Sequence, residues 1–254
     1  MSFSIGIDVG VSKISGARVN IDTGRIVDRR VMDTRPSRGA DVLLDDVVGL
    51  SRGLGADAMG IGIALPEQVA PASVIETAWF WDWRTTDMET AFEDIKPAWR
   101  FLSDASAGGV GEAKLGAGRE HETFLYVHAG QTVSAALIHR NRLAPDSAAV
   151  TAALNDPALE TTASGLAIAR AAETVTAAHA ITDPAKAPAV AAAAAALAAA
   201  IATTGTESVI LGGAVGLDDT FRALVAAELG AACEVLPAGL GVDATLIGAA
   251  LSAF

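Results

Sequence analysis

The pattern of apolar and polar positions opens with strict alternation, which predicts a β-strand with one buried face. The alternating apolar residues are Ile5, Ile7 and Val9. The chain then turns over residues 10–12 and continues as a second strand over 14–20. A further turn leads into a third strand over 25–32, so the chain begins with three consecutive strands.

Beyond these strands the pattern switches between helical and strand periodicity. Predicted helices cover 41–52, 87–95 and 105–115, and predicted strands cover 58–65 and 99–102. Residues 67–86 form a long loop with three of the four tryptophans, Trp79, Trp81 and Trp83. Tryptophans in such a loop either stack on a sugar ring or pack beneath the loop, and packing is the more common use.

The opening pattern returns in the second half of the chain. Strands are predicted over 123–128, 133–139 and 141–143, with a turn of small residues at 129–132. In this turn Gly130 falls where Gly10 does in the first, and Thr132 falls where Ser12 does. We therefore predict an internal repeat, in which two related halves each carry one such hairpin.

The rest of the second half alternates helices with strands. The predicted helices cover 164–178, 188–204, 218–229 and 243–254, and the predicted strands cover 208–211 and 233–236. The first of these strands runs into Gly212 and Gly213, and a glycine pair lets a flat ring such as adenine lie against the backbone. The alternative is an ordinary strand-to-helix turn.

Composition and charge narrow the class of protein. The chain has 254 residues, of which 51% are apolar, and its formal net charge is −12. No basic stripe accompanies this charge, so we expect no nucleic-acid partner. The only cysteine is Cys233, which excludes a disulfide framework and a cysteine-rich zinc site.

Two segments bear on location in the cell. The N-terminus enters a strand without the basic and apolar regions of a signal peptide. The alanine run 191–200 is apolar, but it lies between Pro188 and Gly205 and consists of strong helix formers, which favours a buried helix over a membrane span. The expectation is a cytoplasmic protein with no membrane partner.

The first turn has residue types that suit a bound phosphate group. Gly10 lets the backbone approach phosphate oxygens, Ser12 can donate a hydrogen bond, and Lys13 supplies a positive charge. Asp8 is too negative to touch phosphate directly and would reach it through Mg²⁺ and bound water. The alternative is a tight hairpin with an exposed acid and an exposed base.

Taken together, these segments resemble the ROK family of sugar kinases and repressors, in the actin-like ATPase superfamily. The similar segments, in chain order, are 7–13 (first phosphate motif), 60–66, 102–107 with 111–118, 129–134 (second phosphate loop), 209–215 (adenosine segment) and 240–250. The block over 102–118 is long and specific, since it resembles Glu-Asn-Asp-Ala-Asn-Ala followed by Gly-Glu-Ala-x-x-Gly-Ala-Gly.

The chain also departs from the family pattern. The Gly-Glu-(Leu/Met)-Gly-His sugar-binding stretch and the cysteine-rich zinc motif are missing after the second loop, and no helix-turn-helix precedes the first strand. Glu67 replaces a glycine, Ser103 replaces the asparagine beside the expected base, and Gln131 with Thr132 replaces Thr-Gly. Other residues, such as Asp82, Trp83 and Arg84, would then have to bind the sugar, or the substrate is not an ordinary hexose.

The resemblance implies a fold and a set of site residues. The fold is α/β, with two actin-like (ribonuclease H-like) lobes of mixed β-sheets, residues 1–118 and 119–254, and a cleft between them. Asp104 is the expected general base. The other implied site residues are Ser103 with Asp104 at the substrate, Asp8 at Mg²⁺ through water, Gly10, Ser12, Lys13, Gly130 and Thr132 at the phosphates, and Gly212 and Gly213 at the nucleotide.

Two functions follow from this resemblance. The first is an ATP-dependent kinase that uses Mg²⁺ and no zinc, and phosphorylates a hydroxyl of a small sugar or polyol-like compound. The second is a non-catalytic binding or regulatory protein that keeps the fold. Asp8, Lys13 and Asp104 favour the first, whereas the shortened substrate region and Gln131 favour the second. The resemblance also leaves a homodimer open.

Overall fold

Two five-stranded mixed sheets with the same strand order organise the chain in the computed structural model. The structure describes residues 2–55, 57–70, 73–84 and 86–253. The chain divides into two units: unit 1 runs to Gly111 and takes in the segment from Thr245, and unit 2 is Glu112–Ala244. The sequence-based lobes, 1–118 and 119–254, stay a prediction, because the units have somewhat different bounds.

The sheet of unit 1 has three antiparallel strands followed by two parallel ones, in the order β3-β2-β1-β4-β7. The strands are β1 Phe3–Val9, β2 Lys13–Asn20, β3 Ile26–Asp33, β4 Gly60–Leu65, the small separate hairpin β5 Val69–Ala70 with β6 Val74–Ile75, and β7 Ala98–Ser103. The alternating residues Ile5, Ile7 and Val9 are buried in the hydrophobic core, as the pattern predicted.

Three helices follow strands of unit 1: α1 Gly39–Leu54, α2 Met88–Phe92 and α3 Asp104–Leu115. Helix α1 buries an apolar face against β1 and β2, with Leu43, Val47 and Leu54 in the core. The predicted helix 87–95 is shorter in the structure. The predicted loop 67–86 contains the hairpin β5–β6, and its residues 71, 72 and 85 lie outside the described residues.

The sheet of unit 2 repeats the arrangement of unit 1 in the order β10-β9-β8-β11-β12. Its strands are β8 Thr123–Ala129, β9 Val133–His139, β10 Arg142–Leu143, β11 Ser208–Gly212 and β12 Glu234–Pro237. As in unit 1, the first three strands are antiparallel, and the central strand pairs in parallel with the fourth. The predicted internal repeat is therefore confirmed in strand order and direction.

In the described part of unit 2, seven helices follow β10 and β11, and all but the first contribute side chains to its hydrophobic core. They are α4 Ser147–Val150, α5 Pro157–Ala163, α6 Gly165–Ala171, α7 Ala177–Thr182, α8 Ala187–Ala202, α9 Gly213–Gly216 and α10 Asp219–Leu229. With the turn before it, the alanine-rich α8 is long and apolar enough to cross a membrane by length and composition alone. Its residues Val190, Leu197 and Ile201 lie in the core of unit 2, the place expected of a buried helix.

The predicted helix 164–178 is broken into α6 and α7. Helix α6 ends at Ala171, and Glu173 adopts a positive φ of 55°. Thr176 then caps α7, because its side chain accepts a hydrogen bond from the backbone N–H of His179. No glycine or proline, the usual mark of a helix end, stands at this break. The helical periodicity of the sequence therefore predicts one continuous helix.

The last helix, α11 Ala244–Leu251, packs on the sheet of unit 1. A Cβ at Gly6 would lie 2.0 Å from the backbone oxygen of Leu246, and one at Gly62 would lie 1.9 Å from that of Ala249. Only glycine allows the backbones to approach so closely. The predicted helix 243–254 is shorter in the structure, and its residue 254 lies outside the described residues.

Candidate functional site

The carboxyl ends of three parallel strands meet at one edge of the sheet in unit 1. Asp8 on β1 lies beside Ala64 on β4, and Leu65 lies beside Ser103, the last residue of β7. Asp104 follows at once as the first residue of α3. Two strand spacings separate β1 from β7, about 10 Å. This edge therefore brings Asp8, Ser103 and Asp104 within the reach of one small ligand.

The first turn, residues 10–12, is held by its own backbone and by Thr34. The Gly10 N–H donates to the Lys13 carbonyl oxygen at 2.8 Å. The Thr34 hydroxyl donates to the Gly10 carbonyl oxygen at 2.7 Å, and the Thr34 N–H donates to that of Ser12 at 3.0 Å. The side chains of Ser12 and Lys13 are exposed. A fixed turn thus presents a hydroxyl and an ammonium group to solvent.

Ser103 caps the helix that Asp104 begins. The Ser103 hydroxyl oxygen accepts from the Ser106 N–H at 3.2 Å and pairs with the Ser106 hydroxyl at 2.7 Å. This bond from residue i+3 is the one that an N-cap side chain makes. Asp104 accepts from the Ala105 N–H at 2.6 Å and is only 4% exposed. The N-cap hydrogen bond of α3 is therefore made by Ser103, the residue before Asp104.

The turn between β8 and β9 in unit 2 resembles the first turn but is one residue shorter. Val9 pairs with Ile14 across the first turn, whereas Ala129 pairs with Val133 across the second. The Gly130 N–H closes the second turn by donating to the Thr132 carbonyl oxygen at 2.9 Å. Gly130 therefore matches Gly10, while Thr132 accepts where Lys13 does in the first turn. The shorter loop places the side chain of Thr132 inside, where it is buried.

Helices α5 and α6 brace this second turn. The Gly165 N–H donates to the Gly130 carbonyl oxygen at 2.8 Å, and the Leu166 N–H donates to that of Gln131 at 3.3 Å. The Glu160 carboxylate accepts from the Val133 N–H at 2.7 Å. Sequence reasoning missed the structural roles of Glu160 and Gly165. Local sequence patterns carry no signal for these roles, because Glu160 bonds to Val133 and Gly165 bonds to Gly130 across long stretches of chain.

The glycine pair at the end of β11 lies against the second turn. Gly212 ends the strand, and Gly213 begins α9 with a positive φ of 75°. A Cβ at Gly213 would lie 2.5 Å from the carbonyl oxygen of Ala129 and 3.0 Å from the nitrogen of Gly130. The predicted residues Gly130, Thr132, Gly212 and Gly213 thus come together in unit 2. The predicted residues Asp8, Gly10, Ser12, Lys13, Ser103 and Asp104 belong to unit 1.

Glu67 and the tryptophans form a structural cluster in unit 1. The Glu67 carboxylate is 1% exposed and accepts from the backbone N–H groups of Trp79 and Phe80, each at 3.0 Å, and from the Thr77 hydroxyl. Trp81 and Trp83 are buried in the hydrophobic core. These two rings therefore pack beneath the loop rather than stack on a sugar.

Asp82 and Arg84 lie on the surface of this loop. They form an exposed ion pair with each other, with the charged atoms 2.5 Å apart. The hydrogen bond from the Arg84 guanidinium lowers the pKa of the Asp82 carboxyl to about 2. The two charged groups therefore neutralise each other, and the Trp83 ring lies in the core. Neither observation supports a sugar-binding role for residues 82–84.

Glu112, in the Gly-Glu-Ala block of the sequence, is the first residue of unit 2 and bonds to a distant segment of the same unit. Its carboxylate is fully buried and accepts from the backbone N–H groups of Ala117 at 2.7 Å, Gly239 at 2.8 Å and Leu240 at 2.9 Å. Sequence reasoning recognised the block but not this role, since two of the partners lie more than a hundred residues away.

The residues present fit a phosphate-bound Mg²⁺ better than a metal held by protein alone. In the part of the chain that the structure describes, no group of three or more His, Cys, Asp and Glu side chains is placed to hold a metal ion. Mg²⁺ usually keeps several waters and is bound through one or two carboxylates and substrate phosphates. Asp8, a single half-buried carboxylate beside an exposed hydroxyl and an exposed ammonium, matches that pattern.

Comparison with known proteins adds to these observations. The model of the ROK family matches residues 4–253. Over 147 residues, 56% of this chain, the chain is 26% identical to the xylose repressors of Bacillus subtilis (strain 168) and of Bacillus spizizenii. It spans 38% of the length of these curated relatives.

Solved structures match along almost the whole chain. A ROK family glucokinase from Streptomyces griseus, in complex with glucose and AMPPNP, matches with a TM-score of 0.79 and 23% identity over 98% of both chains. A ROK hexokinase from Thermus thermophilus matches with a TM-score of 0.75 and 20% identity over 99% of this chain and 97% of that one. An inorganic polyphosphate/ATP-glucomannokinase from Arthrobacter sp. strain KM matches with a TM-score of 0.75 and 22% identity over 99% and 98%. The predicted α/β fold of the actin-like class is therefore confirmed.

Proposed function

This chain belongs to the ROK family, and we propose that it is an ATP-dependent kinase acting on a hydroxyl group of a small sugar or sugar-like compound. The observation that carries the proposal is the pair of side chains at the start of α3, Ser103 and Asp104. Ser103 makes the N-cap bond to the Ser106 N–H, and the buried Asp104 carboxylate beside it accepts from the Ala105 N–H. A buried acid at the end of a parallel strand, beside a serine that supplies the N-cap bond, suits a general base.

In the proposed reaction Asp104 accepts the proton of the acceptor hydroxyl while that oxygen attacks the γ-phosphorus of ATP. The new oxygen–phosphorus bond forms as the bond from the γ-phosphorus to the bridging oxygen breaks, and ADP leaves. Ser103, at the end of the same strand, is the other proposed substrate contact. Little covalent chemistry falls to the protein in such a transfer, so its main contributions are positioning and charge.

The first turn would hold the phosphate groups through side chains. The Gly10 N–H is already bonded to Lys13, so the proposed phosphate contacts of this turn are the Ser12 hydroxyl and the Lys13 ammonium group. Gly10 contributes by having no side chain in the way. Asp8 would hold Mg²⁺ through bound water, and when bound the ion neutralises charge on the phosphates.

The nucleotide contacts proposed for unit 2 are the second turn and the glycine pair. Gly130 and Thr132 form the braced second turn, Gly213 lies against this turn, and Gly212 lies against the Tyr126 ring. The complex of the Streptomyces griseus glucokinase with glucose and AMPPNP supports ATP as the phosphoryl donor. The name of the Arthrobacter glucomannokinase makes inorganic polyphosphate a second donor to include in the assay.

A second candidate function is a sugar-binding or regulatory protein without kinase activity. The similarity to two xylose repressors favours it. So do the residues Gln131 and Thr132, which stand where the family pattern has Thr-Gly, and the missing sugar-binding stretch.

The experiment that separates the two measures ADP release with Mg-ATP over a panel of hexoses, pentoses, amino sugars and polyols, together with ligand-induced shifts of the melting temperature. The kinase predicts turnover of at least one acceptor and a loss of about 10²- to 10⁴-fold in Asp104→Asn. The matched control is Asp218→Asn, the same change at the N-cap of α10, where asparagine caps as well as aspartate.

The outcomes separate the candidates clearly. If Mg-ATP or a sugar raises the melting temperature but no acceptor is turned over, the second candidate stands and the kinase falls. If neither nucleotide nor sugar shifts the melting temperature, both candidates fail.

A further inference from the structure

His128 occupies in unit 2 the position that Asp8 occupies in unit 1. Both lie on the central strand, two residues before the glycine that closes the turn. Asp8 pairs with Ser15 on one side and Ala64 on the other, and His128 pairs with Ser134 and Gly212 in the same two directions. The internal repeat thus places an imidazole where the first half has a carboxylate.

The imidazole of His128 lies against the second turn rather than in the core. Alternation along β8 puts Val127 and Ala129 in the hydrophobic core and His128 on the opposite face. Its Nε2 atom lies 2.8 Å from the place where a Cβ at Gly130 would stand. The glycine therefore leaves open the space that this nitrogen borders.

The other ring nitrogen is buried and lacks a hydrogen bond within the described residues. His128 Nδ1 has no accessible surface of note and no partner there, although the residue as a whole is half-buried. His139 on the neighbouring strand differs, since its Nδ1 lies 2.7 Å from the Thr123 hydroxyl. A ring with a buried nitrogen that has no partner among the described residues, at the edge of a turn, is suited to a ligand.

The charge of the turn indicates which ligand. In unit 1 the backbone carbonyl that closes the turn belongs to Lys13, whose side chain is a cation. In unit 2 it belongs to Thr132, whose side chain is neutral. Between residues 124 and 138, His128 is the only residue that can carry a positive charge. An imidazole donates a hydrogen bond directly to an anionic oxygen, whereas the carboxylate at the equivalent position needs a metal ion between.

We propose that His128 contacts the nucleotide by donating a hydrogen bond from its imidazole to a phosphate oxygen at the second turn. This inference rests on the proposed function, because it takes the bound anion to be the phosphate chain of ATP. His128 would be a binding residue of the second turn, filling the role that Lys13 fills in the first.

The test compares two replacements of His128 with a matched control. His128→Leu keeps the approximate volume but removes the donor, and His128→Gln keeps a neutral donor near the place of Nε2. His139→Gln makes the same change at the half-buried histidine of the adjacent strand. Each protein is titrated calorimetrically with AMPPNP and Mg²⁺ and, separately, with adenosine, and the KM values for ATP and for the acceptor are measured.

The expected result is selective for phosphate. His128→Leu should bind AMPPNP about tenfold more weakly, as expected for one hydrogen bond to a charged group, and His128→Gln should lose less. Adenosine affinity and the KM of the acceptor should stay as in the wild type, and His139→Gln should match it throughout. A structural role for His128 would instead weaken adenosine and AMPPNP together.

Two results overturn the proposal and are distinguishable from each other. If the wild type binds AMPPNP and His128→Leu binds it equally well, or loses adenosine to the same extent, the contact is wrong while the proposed function stands. If the wild type binds no AMPPNP, the proposed function and the contact both fail. Should His128→Leu not fold, His128→Gln and the KM values for ATP decide the matter on the same terms.

Discussion

Glu112 is the residue whose replacement tests the account of unit 2 most sharply. Its buried carboxylate accepts three backbone N–H groups, those of Ala117, Gly239 and Leu240. Glu112→Ala deprives these three donors of a charged acceptor, and a hydrogen bond to a charged group contributes about 1.5–3 kcal/mol. The free energy of unfolding should therefore fall by at least about 3 kcal/mol, a large part of the 5–15 kcal/mol typical of a folded protein.

Glu112→Gln should lose less, because its amide oxygen can still accept from Ala117 and Gly239. The amide NH₂ group would then face the Leu240 N–H, so one bond is replaced by a contact between two donors. The loss expected is about 1–3 kcal/mol, between those of the wild type and of Glu112→Ala.

The assay is urea denaturation followed by far-ultraviolet circular dichroism, with Glu120→Ala as the control. Glu120 is an exposed acid in the turn that follows α3, and its replacement should change stability by less than about 0.5 kcal/mol. If Glu112→Ala unfolds at the same urea concentration as Glu120→Ala, the three hydrogen bonds do not contribute as argued.

Three further predictions concern other contacts. Gly213→Ala should lower the melting temperature, because the residue has a positive φ and its Cβ would lie 2.5 Å from the Ala129 oxygen, and an unchanged melting curve would contradict the packing described. Glu67→Gln should destabilise unit 1 by about 1–3 kcal/mol, seen in denaturation followed by tryptophan fluorescence, since its three donors would lose a charged acceptor. The hydrogen bond from Arg18 lowers the pKa of Asp57 to about 2, below its unfolded value of about 3.9. The pair therefore stabilises the folded protein above a pH of about 3.9, and this stabilisation is lost as the pH falls towards about 2. Denaturation midpoints should therefore fall more steeply from pH 5 to pH 2 in the wild type than in Asp57→Asn, and parallel curves would contradict the assignment.

Strand β1 could be predicted from alternation, whereas buried strands such as β4 and β11 could be predicted as short apolar runs bounded by turn residues. Ile5, Ile7 and Val9 face a core, and the residues between them face the other way. The repeat was visible for the same reason, since two hairpins of like length stand in similar surroundings. The break after Ala171 was not visible, because neither glycine nor proline marks it and Glu173 adopts a positive φ instead.

Contacts between distant residues could not be predicted from local patterns. Glu112 lies in a recognisable block, but its partners at 239 and 240 follow only from the folded chain. The buried Glu67 looked like a departure from a glycine, and its use became visible only with the loop folded over it. In both cases a buried carboxylate takes the place of missing backbone acceptors.

The candidate site was predictable in its residues but not in its details. The sequence left open whether Asp104 is the N-cap of α3. In the structure Ser103 makes the N-cap hydrogen bond. Aligning Gly130 with Gly10 in the sequence matches Thr132 with Ser12. In the structure the second turn is one residue shorter, so the Thr132 carbonyl oxygen accepts the closing hydrogen bond, as that of Lys13 does in the first turn. A difference of one residue in a turn is set by strand pairing, which residue types alone do not reveal.

The most direct test of the central claim follows the phosphoryl group itself. Wild-type protein is incubated with Mg²⁺, γ-labelled ATP and each acceptor of the panel, and the label on the acceptor is counted beside that produced by Asp104→Asn and Asp218→Asn. We expect labelled acceptor from the wild type and from Asp218→Asn, and a rate lower by about 10²- to 10⁴-fold in Asp104→Asn. Equal labelling by Asp104→Asn, or no labelled acceptor from a wild-type protein that binds the nucleotide, would contradict the claim that Asp104 acts as the base of a kinase.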